Sequence, residues 1–211
     1  MKLPEQVHVI SHPLVQRKLT LARDIRSTSD IFRRLLGEIA MLMAYELTRE
    51  YPVDPVEVRT PLAVATGADL RRGITLVPIL RAGLGMADGI LQLVPQARVG
   101  YLGIYRDETT LEPVVYYNKL PPGIAETDVI VIDPMLATGG SCTAAIDVIK
   151  QTGAKSIKLL CLVAAPEGIR KLVKAHPDVM VYTAAVDSHL NENGYIVPGL
   201  GDAGDRLFGT Q

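Results

Sequence analysis

The densest chemical signal in the sequence is the run Asp133, Pro134, Met135, Leu136, Ala137, Thr138, Gly139, Gly140 and Ser141. It follows a β-branched run, Val129 to Ile132, and precedes a helix-like stretch from Cys142 to Gln151. Glycines let backbone N–H groups approach an anion closely. The start of a helix adds free N–H groups and the positive end of its dipole. Thr138 and Ser141 add hydroxyl donors, so the set suits a phosphate monoester. Asp133 would repel that phosphate and needs another partner, for which the two hydroxyls of a ribose diol are suited. Loop and carboxylate together point to a ribose 5-phosphate. The same residues also allow an ordinary β-turn-α connection closed by an Asx turn. No Lys-Ser or Lys-Thr follows the glycines, so this is not a P-loop, and no GxGxxG opens a βαβ unit.

Two arginines stand at the ends of apolar runs. Arg81 follows Thr75 to Leu80, and Arg106 follows the run from Arg98 to Tyr105. Guanidinium groups pair bidentately with phosphate oxygens, although a single arginine at a strand end is also a common solvated charge. A third segment, 191–206, is dense in glycine and reads as a loop. Long loops in compact domains are functional or disordered. Interleaved Tyr195, Ile196, Val197, Leu200 and the following Phe208 argue against disorder. An ordered tail without a ligand is the other reading of this segment.

These residues need elements to position them. Ser29 to Glu50 reads as one long helix, capped by Ser29 or Asp30, with Ile31, Leu35, Ile39, Leu42 and Met43 at helical spacing and Tyr51-Pro52 ending it. Leu14 to Ile25 reads as a shorter amphipathic helix. Thr75–Leu80, Arg98–Tyr105, Val129–Ile132, Ile157–Ala165 and Val179–Val186 are solid apolar runs alternating with helix-like stretches, one of which begins at Pro166 and ends near His176-Pro177. Such alternation predicts an α/β fold with a parallel sheet covered on both faces. Ligands of such sheets bind beyond the carboxyl ends of the strands, which are the segments after Leu80, Tyr105, Ile132 and Val186.

The segment from Val129 to Ser141 resembles the motif that binds 5-phosphoribosyl 1-diphosphate (PRPP) in type I phosphoribosyltransferases: an apolar strand, two acids, a Thr-Gly-Gly turn and a helix. The second acid is replaced here by Pro134, and Asp-Pro-Met-Leu-Ala-Thr-Gly-Gly-Ser is the form found in the uracil-specific branch. The tail Gly-Tyr-Ile-Val-Pro-Gly, then Gly-Asp-Ala-Gly-Asp-Arg, is similar to that branch's uracil-binding segment, and His12 to Thr20 is similar to its N-terminal stretch. The resemblance spans nearly the whole chain. It implies the type I phosphoribosyltransferase fold in a single domain over residues 1–211, mostly parallel, with N-terminal helices, a β-arm between Arg106 and Asn118 and a C-terminal base-binding loop. It implies PRPP contacts for Arg81, Arg106, Asp133 to Ser141 and Asp202, and uracil contacts for Tyr195, Ile196, Gly201, Asp202 and Ala203. Uracil offers an acceptor, donor, acceptor edge that backbone groups of a glycine-rich loop can match, and such a site leaves cytosine's amino group facing a donor. The implied reaction joins uracil N1 to ribose C1, giving UMP and pyrophosphate. Arg81 and Arg106 would stabilise the leaving group, Asp133 would hold the ribose, and Asp202 would take the N1 proton. Mg²⁺ is expected to enter as Mg-PRPP, since it binds through substrate phosphates with few protein carboxylates. The family also implies a homodimer or homotetramer, with GTP as an activator in some members. A phosphoribosyltransferase for another base, an RNA-binding pyrimidine regulator on the same fold, and a plain phosphosugar-binding module are the alternatives.

Composition narrows the field further. The chain has 211 residues, with 22 basic and 23 acidic side chains and 48% hydrophobic residues. The near-zero net charge argues against a broad nucleic-acid surface. No apolar stretch has the roughly 20 residues needed to span a bilayer, and residues 1–13 lack the apolar core of a signal peptide. Cys142 and Cys161 sit in apolar patterns and read as reduced core thiols. A cytoplasmic protein is expected. His8 and His12 match no metal motif and are taken as structural or exposed.

Overall fold

The computed structural model describes residues 2–106 and 112–210, with Arg106 described for its backbone alone. In chain order, β1 (Val7–Val9), α1 (Pro13–Arg23) and α2 (Ser29–Leu47) lead into β2 (Val53–Arg59) and β3 (Val64–Leu70). Then come β4 (Ile74–Leu80), α3 (Leu84–Leu93), β5 (Arg98–Val99), β6 (Tyr101–Arg106) and β7 (Pro113–Lys119). The second half holds β8 (Asp128–Ile132), β9 (Met135–Leu136), α4 (Gly140–Gln151), β10 (Ile157–Ala164), α5 (Pro166–Ala175) and β11 (Met180–Val186). The tail forms β12 (His189–Leu190), β13 (Ile196–Val197) and α6 (Ala203–Phe208).

The main sheet runs β1-β11-β10-β8-β4-β6-β7, with β5 beside β4 and β9 beside β10. All its pairings are parallel except β6 with the edge strand β7. Strands β4, β8 and β10 are buried almost throughout because helices cover both faces. Two apolar clusters result. One packs Phe32, Leu36, Ile39 and Met43 of α2 and Met86 and Ile90 of α3 against Leu76, Ile130 and Leu160. The other packs Cys142, Ile146 and Ile149 of α4 and Ile169 and Leu172 of α5 against Val77, Val131 and Leu159. Helices α2 and α3 touch backbone to backbone at Gly37 and Gly89, where a Cβ on Gly89 would stand 2.0 Å from the Gly37 carbonyl oxygen.

Several expectations shift. The buried stripe of α2 is centred on Phe32, Leu36, Ile39 and Met43 rather than on Ile31, which is exposed. Its cap residue is Thr28, whose hydroxyl donates to the Asp30 carboxylate, and the helix ends at Leu47. His12 caps α1 by accepting the Leu14 N–H through Nδ1, while His8 stacks on Tyr182. The antiparallel hairpin β2–β3 and the edge strand β1 add to the elements the sequence pattern marks. The tail is not loop throughout 191–206, because Asp202 caps a helix that starts at Ala203. Cys142 and Cys161 are free and buried, and burial pushes the Cys161 thiol up to about 12. Among the described residues no helix is long and apolar enough to cross a membrane.

Candidate active site

The strand order reverses between β4 and β8, since β6 and β7 lie on one side of β4 and β8, β10 and β11 on the other. Ligand-binding crevices form at such a point, beyond the carboxyl ends of the strands. Asp133 leaves the end of β8 there and Arg81 the end of β4. A cavity of about 550 Å³ opens beside the loop, lined by Met135, Ala137, Thr138, Gly140, Ser141, Lys171, Tyr195, Ile196 and Asp202 among others. The glycine-rich turn and the C-terminal tail, more than fifty residues apart in sequence, therefore share one cleft.

The turn owes its shape to a close backbone approach. Gly139 sits at φ +80° and caps α4, a conformation that costs glycine nothing. A Cβ on Gly139 would lie 2.9 Å from the Gly168 carbonyl oxygen, and one on Gly168 would lie 2.4 Å from the Ala137 carbonyl oxygen. Helix α5 thus buttresses the turn from behind. Leu136 is fully buried, and the buried Pro134 carbonyl accepts N–H bonds from Leu162 and Val163. Met135, Ala137, Thr138, Gly140 and Ser141 face the cleft; Pro134, Leu136 and Gly139 anchor the turn.

Asp133 folds back on its own chain. Its Oδ1 accepts the Met135 N–H at 3.2 Å and its Oδ2 lies 3.7 Å from Cys142 Sγ. This is the Asx turn that the sequence also allowed. Burial raises the carboxyl from its ordinary 3.8 to about 7, against the opposing pull of the Met135 N–H and the Cys142 thiol.

Arg81 does not line the cavity. Its guanidinium lies 3.5 Å from Asp205 and 5.7 Å from the centre of the Phe208 ring. Asp205 in turn donates its N–H to Asp202 Oδ1 at 3.0 Å, so Arg81 and Asp202 meet at the start of α6. The Arg106 side chain lies outside the described residues, as do residues 107–111 of the β-arm. Of the tail residues, Asn193, Gly194, Tyr195, Ile196 and Asp202 line the cleft. Gly201 lines a neighbouring cavity with Arg23, Pro198 and Arg206, and Ala203 is buried.

Sequence reasoning missed what holds the tail. Arg23 of α1 grips Asp187 through two bonds of 2.7 and 2.8 Å and donates a third, of 2.7 Å, to the Gly199 carbonyl. Asp187 also accepts the Gly199 N–H at 2.9 Å. Arg206 donates to the carbonyls of Ala22, Leu200 and Asp24, each at 2.8 Å, and lies over the Phe32 ring. Asp187 was discoverable from its place just past β11. Arg23 and Lys171 carry no local signal, since each is one charge on an amphipathic helix. Among the described residues, no three His, Cys, Asp or Glu side chains group so as to hold a metal.

The family model for uracil phosphoribosyltransferase matches residues 9–210. The chain belongs to that family. A uracil phosphoribosyltransferase from Caldanaerobacter subterraneus is 61% identical over 208 residues, covering 98% of this chain and 99% of the relative. One from Desulfitobacterium hafniense is 59% identical over 207 residues with the same coverage. A solved protein structure from Aquifex aeolicus superposes with a TM-score of 0.92 at 39% identity, over 96% of this chain and 97% of that one. A hypoxanthine phosphoribosyltransferase from Staphylococcus aureus, at 13% identity and a TM-score of 0.53, shares the fold. Within the uracil phosphoribosyltransferase family, then, the cleft between turn and tail is the place where sugar phosphate and base are to be sought.

Proposed function

We infer that this chain transfers the phosphoribosyl group of PRPP to N1 of uracil, giving UMP and pyrophosphate, as a pentosyl-transferring glycosyltransferase of pyrimidine salvage. The observation that carries the reading is the cleft in which Thr138, Gly140 and Ser141 face Tyr195, Ile196 and Asp202. The turn receives the 5′-phosphate on N–H groups at the start of α4 and on the two hydroxyls. The tail receives the base. Pyrophosphate departs from C1 with its bonding electron pair, N1 of uracil forms the new bond, and the N1 proton leaves to a base. The transition state resembles an oxocarbenium ion, so fixed electrostatics and positioning supply the catalysis.

In this reading Arg81 and Arg106 offset charge growing on pyrophosphate. Asp133 turns its carboxylate to the ribose diol, which means exchanging one of its present partners for a substrate hydroxyl. Asp202 stands at the base end and takes the N1 proton. Gly201 and Ala203 supply backbone to the uracil edge. Mg²⁺ is part of the substrate as Mg-PRPP, where it compensates phosphate charge. A cytoplasmic homodimer or homotetramer is part of the same proposal; exposed Val53, Val58, Leu62 and Val64 on the β2–β3 hairpin support self-association, which sedimentation would measure. Activation by GTP is read from initial rates with and without the nucleotide.

Pyrophosphate release from Mg-PRPP tests the function directly. Release that requires uracil, with little response to cytosine, hypoxanthine or orotate, is the expected result. Equal release without any base, or a preference for a purine, would overturn it.

A further inference from the structure

We propose that Lys171 is a binding residue for the 5′-monophosphate, completing with one positive charge an anion site whose other donors are neutral. The proposal rests on the reading of the turn as a phosphate grip. Lys171 lies on α5, the helix whose Gly168 packs against the turn. It lines the cleft beside Thr138, Gly140 and Ser141. The point where a Cβ on Gly140 would stand is 3.7 Å from Lys171 Nζ and 3.7 Å from Thr138 Oγ1, so ammonium and hydroxyl converge on one backbone turn. Close packing at Gly139 and Gly168 fixes that spacing: a Cβ on Gly139 would touch Lys171 Cβ at 3.4 Å.

The lysine is also unengaged. Among the described residues no carboxylate pairs with it, although Glu167 stands one helical turn earlier. A flexible ammonium at the mouth of a neutral N–H and hydroxyl cradle matches a phosphate dianion as a point charge. Its place beside the turn, rather than beside Arg81 and α6, assigns it to the monophosphate end of PRPP and not to the pyrophosphate end.

The test compares wild type with Lys171→Met, Lys171→Arg and Ser141→Ala, using Lys174→Met as a control for charge elsewhere on α5. Steady-state KM and kcat are measured for Mg-PRPP and uracil, together with inhibition constants for ribose 5-phosphate and for pyrophosphate. For an exposed charge on a phosphate, Lys171→Met should raise KM for Mg-PRPP and the ribose 5-phosphate constant by about five- to tenfold. KM for uracil, the pyrophosphate constant and kcat should stay within about twofold. Lys171→Arg should restore most of the loss, and the response of KM to added salt should flatten in Lys171→Met. If Ser141→Ala weakens ribose 5-phosphate while Lys171→Met does not, the lysine proposal is overturned and the turn stands. If neither weakens it, the phosphate reading of the turn falls and the lysine with it. Equal weakening of pyrophosphate and ribose 5-phosphate by Lys171→Met would likewise overturn the assignment to the monophosphate.

Discussion

Replacing Asp133 by Asn should make the protein more resistant to unfolding at pH 8 than at pH 5, relative to wild type. The amide keeps the shape of the side chain and an oxygen for the Met135 N–H, but it removes the ionisation. In the folded chain the carboxyl titrates near 7 instead of its ordinary 3.8 because it is buried beside neutral partners. The folded state therefore holds a proton that the unfolded state has released. Stability falls as pH rises from about 4 to about 7 and is level above that. At about 1.4 kcal/mol for each pH unit, the full penalty has a ceiling of about 4 kcal/mol. About 2.5 kcal/mol of it lies between pH 5 and pH 8. Asp133 retains some exposure, so an effect of about 1–2.5 kcal/mol is expected. Burial also raises Tyr51, Cys142 and Cys161; Asp133 adds to the rise of the two thiols and the substitution removes that part, but all three titrate above the window. Urea unfolding of the ligand-free proteins at pH 5, 6, 7 and 8, followed by circular dichroism, gives the difference directly. Parallel pH profiles for wild type and variant would refute the argument that Asp133 is ionised at a cost. The same substitution should lower kcat/KM at least about tenfold if the diol needs a charged acceptor.

Three further outcomes follow from the site. Gly168→Ala places a methyl group 2.4 Å from the Ala137 carbonyl oxygen, so α5 must withdraw from the turn; a loss of about 1–3 kcal/mol and a raised KM for PRPP are expected in melting and rate measurements. Asp202→Asn keeps the cap on the Asp205 N–H, whereas Asp202→Ala costs about 1 kcal/mol of stability; if Asp202 takes the N1 proton, both lower kcat sharply, and near-normal kcat in Asp202→Asn removes it from the chemistry. Arg23→Met strands a carboxylate that is only 6% exposed, so about 2–4 kcal/mol is lost, and KM for uracil rises more than KM for PRPP because Gly199 is released.

The parts of this molecule that sequence revealed are those governed by local rules. Solid apolar runs mark β4, β8 and β10 because strands buried on both faces carry no alternation. Pro166 marks the start of α5, and Thr138 to Ser141 mark a strand-to-helix turn through glycine. Where burial depends on distant contacts, periodicity was less decisive. Ile31 and Phe32 both fit a helical stripe, and the cluster formed by α3, α6 and the Arg206 side chain selects Phe32. The hairpin β2–β3 carries no sequence signal because both strands are exposed along most of their length, so no buried face imposes a pattern. The final helix carries little sequence signal because Ala203–Phe208 is short, glycine-containing and held by the Asp202 cap rather than by propensity.

If the tail is the base site proposed above, it shows why such a site can be read in a sequence while its support cannot. A pyrimidine edge matched by backbone groups needs glycine and little else, and the glycines are visible. Backbone recognition discriminates only if the backbone is held in place, since an N–H that drifts meets cytosine as readily as uracil. Residues 199–202 lie outside regular structure and draw that rigidity from elsewhere. Arg23 ties Gly199 to α1 through Asp187, and Arg206 ties Leu200 to the end of α1 through Ala22 and Asp24. On the proposed reading of the tail as the base site, the N-terminal helix, far from the cleft in sequence, takes part in selecting the base. Base discrimination should consequently respond to substitutions at Arg23 and Arg206, which hold the tail without needing to touch the base.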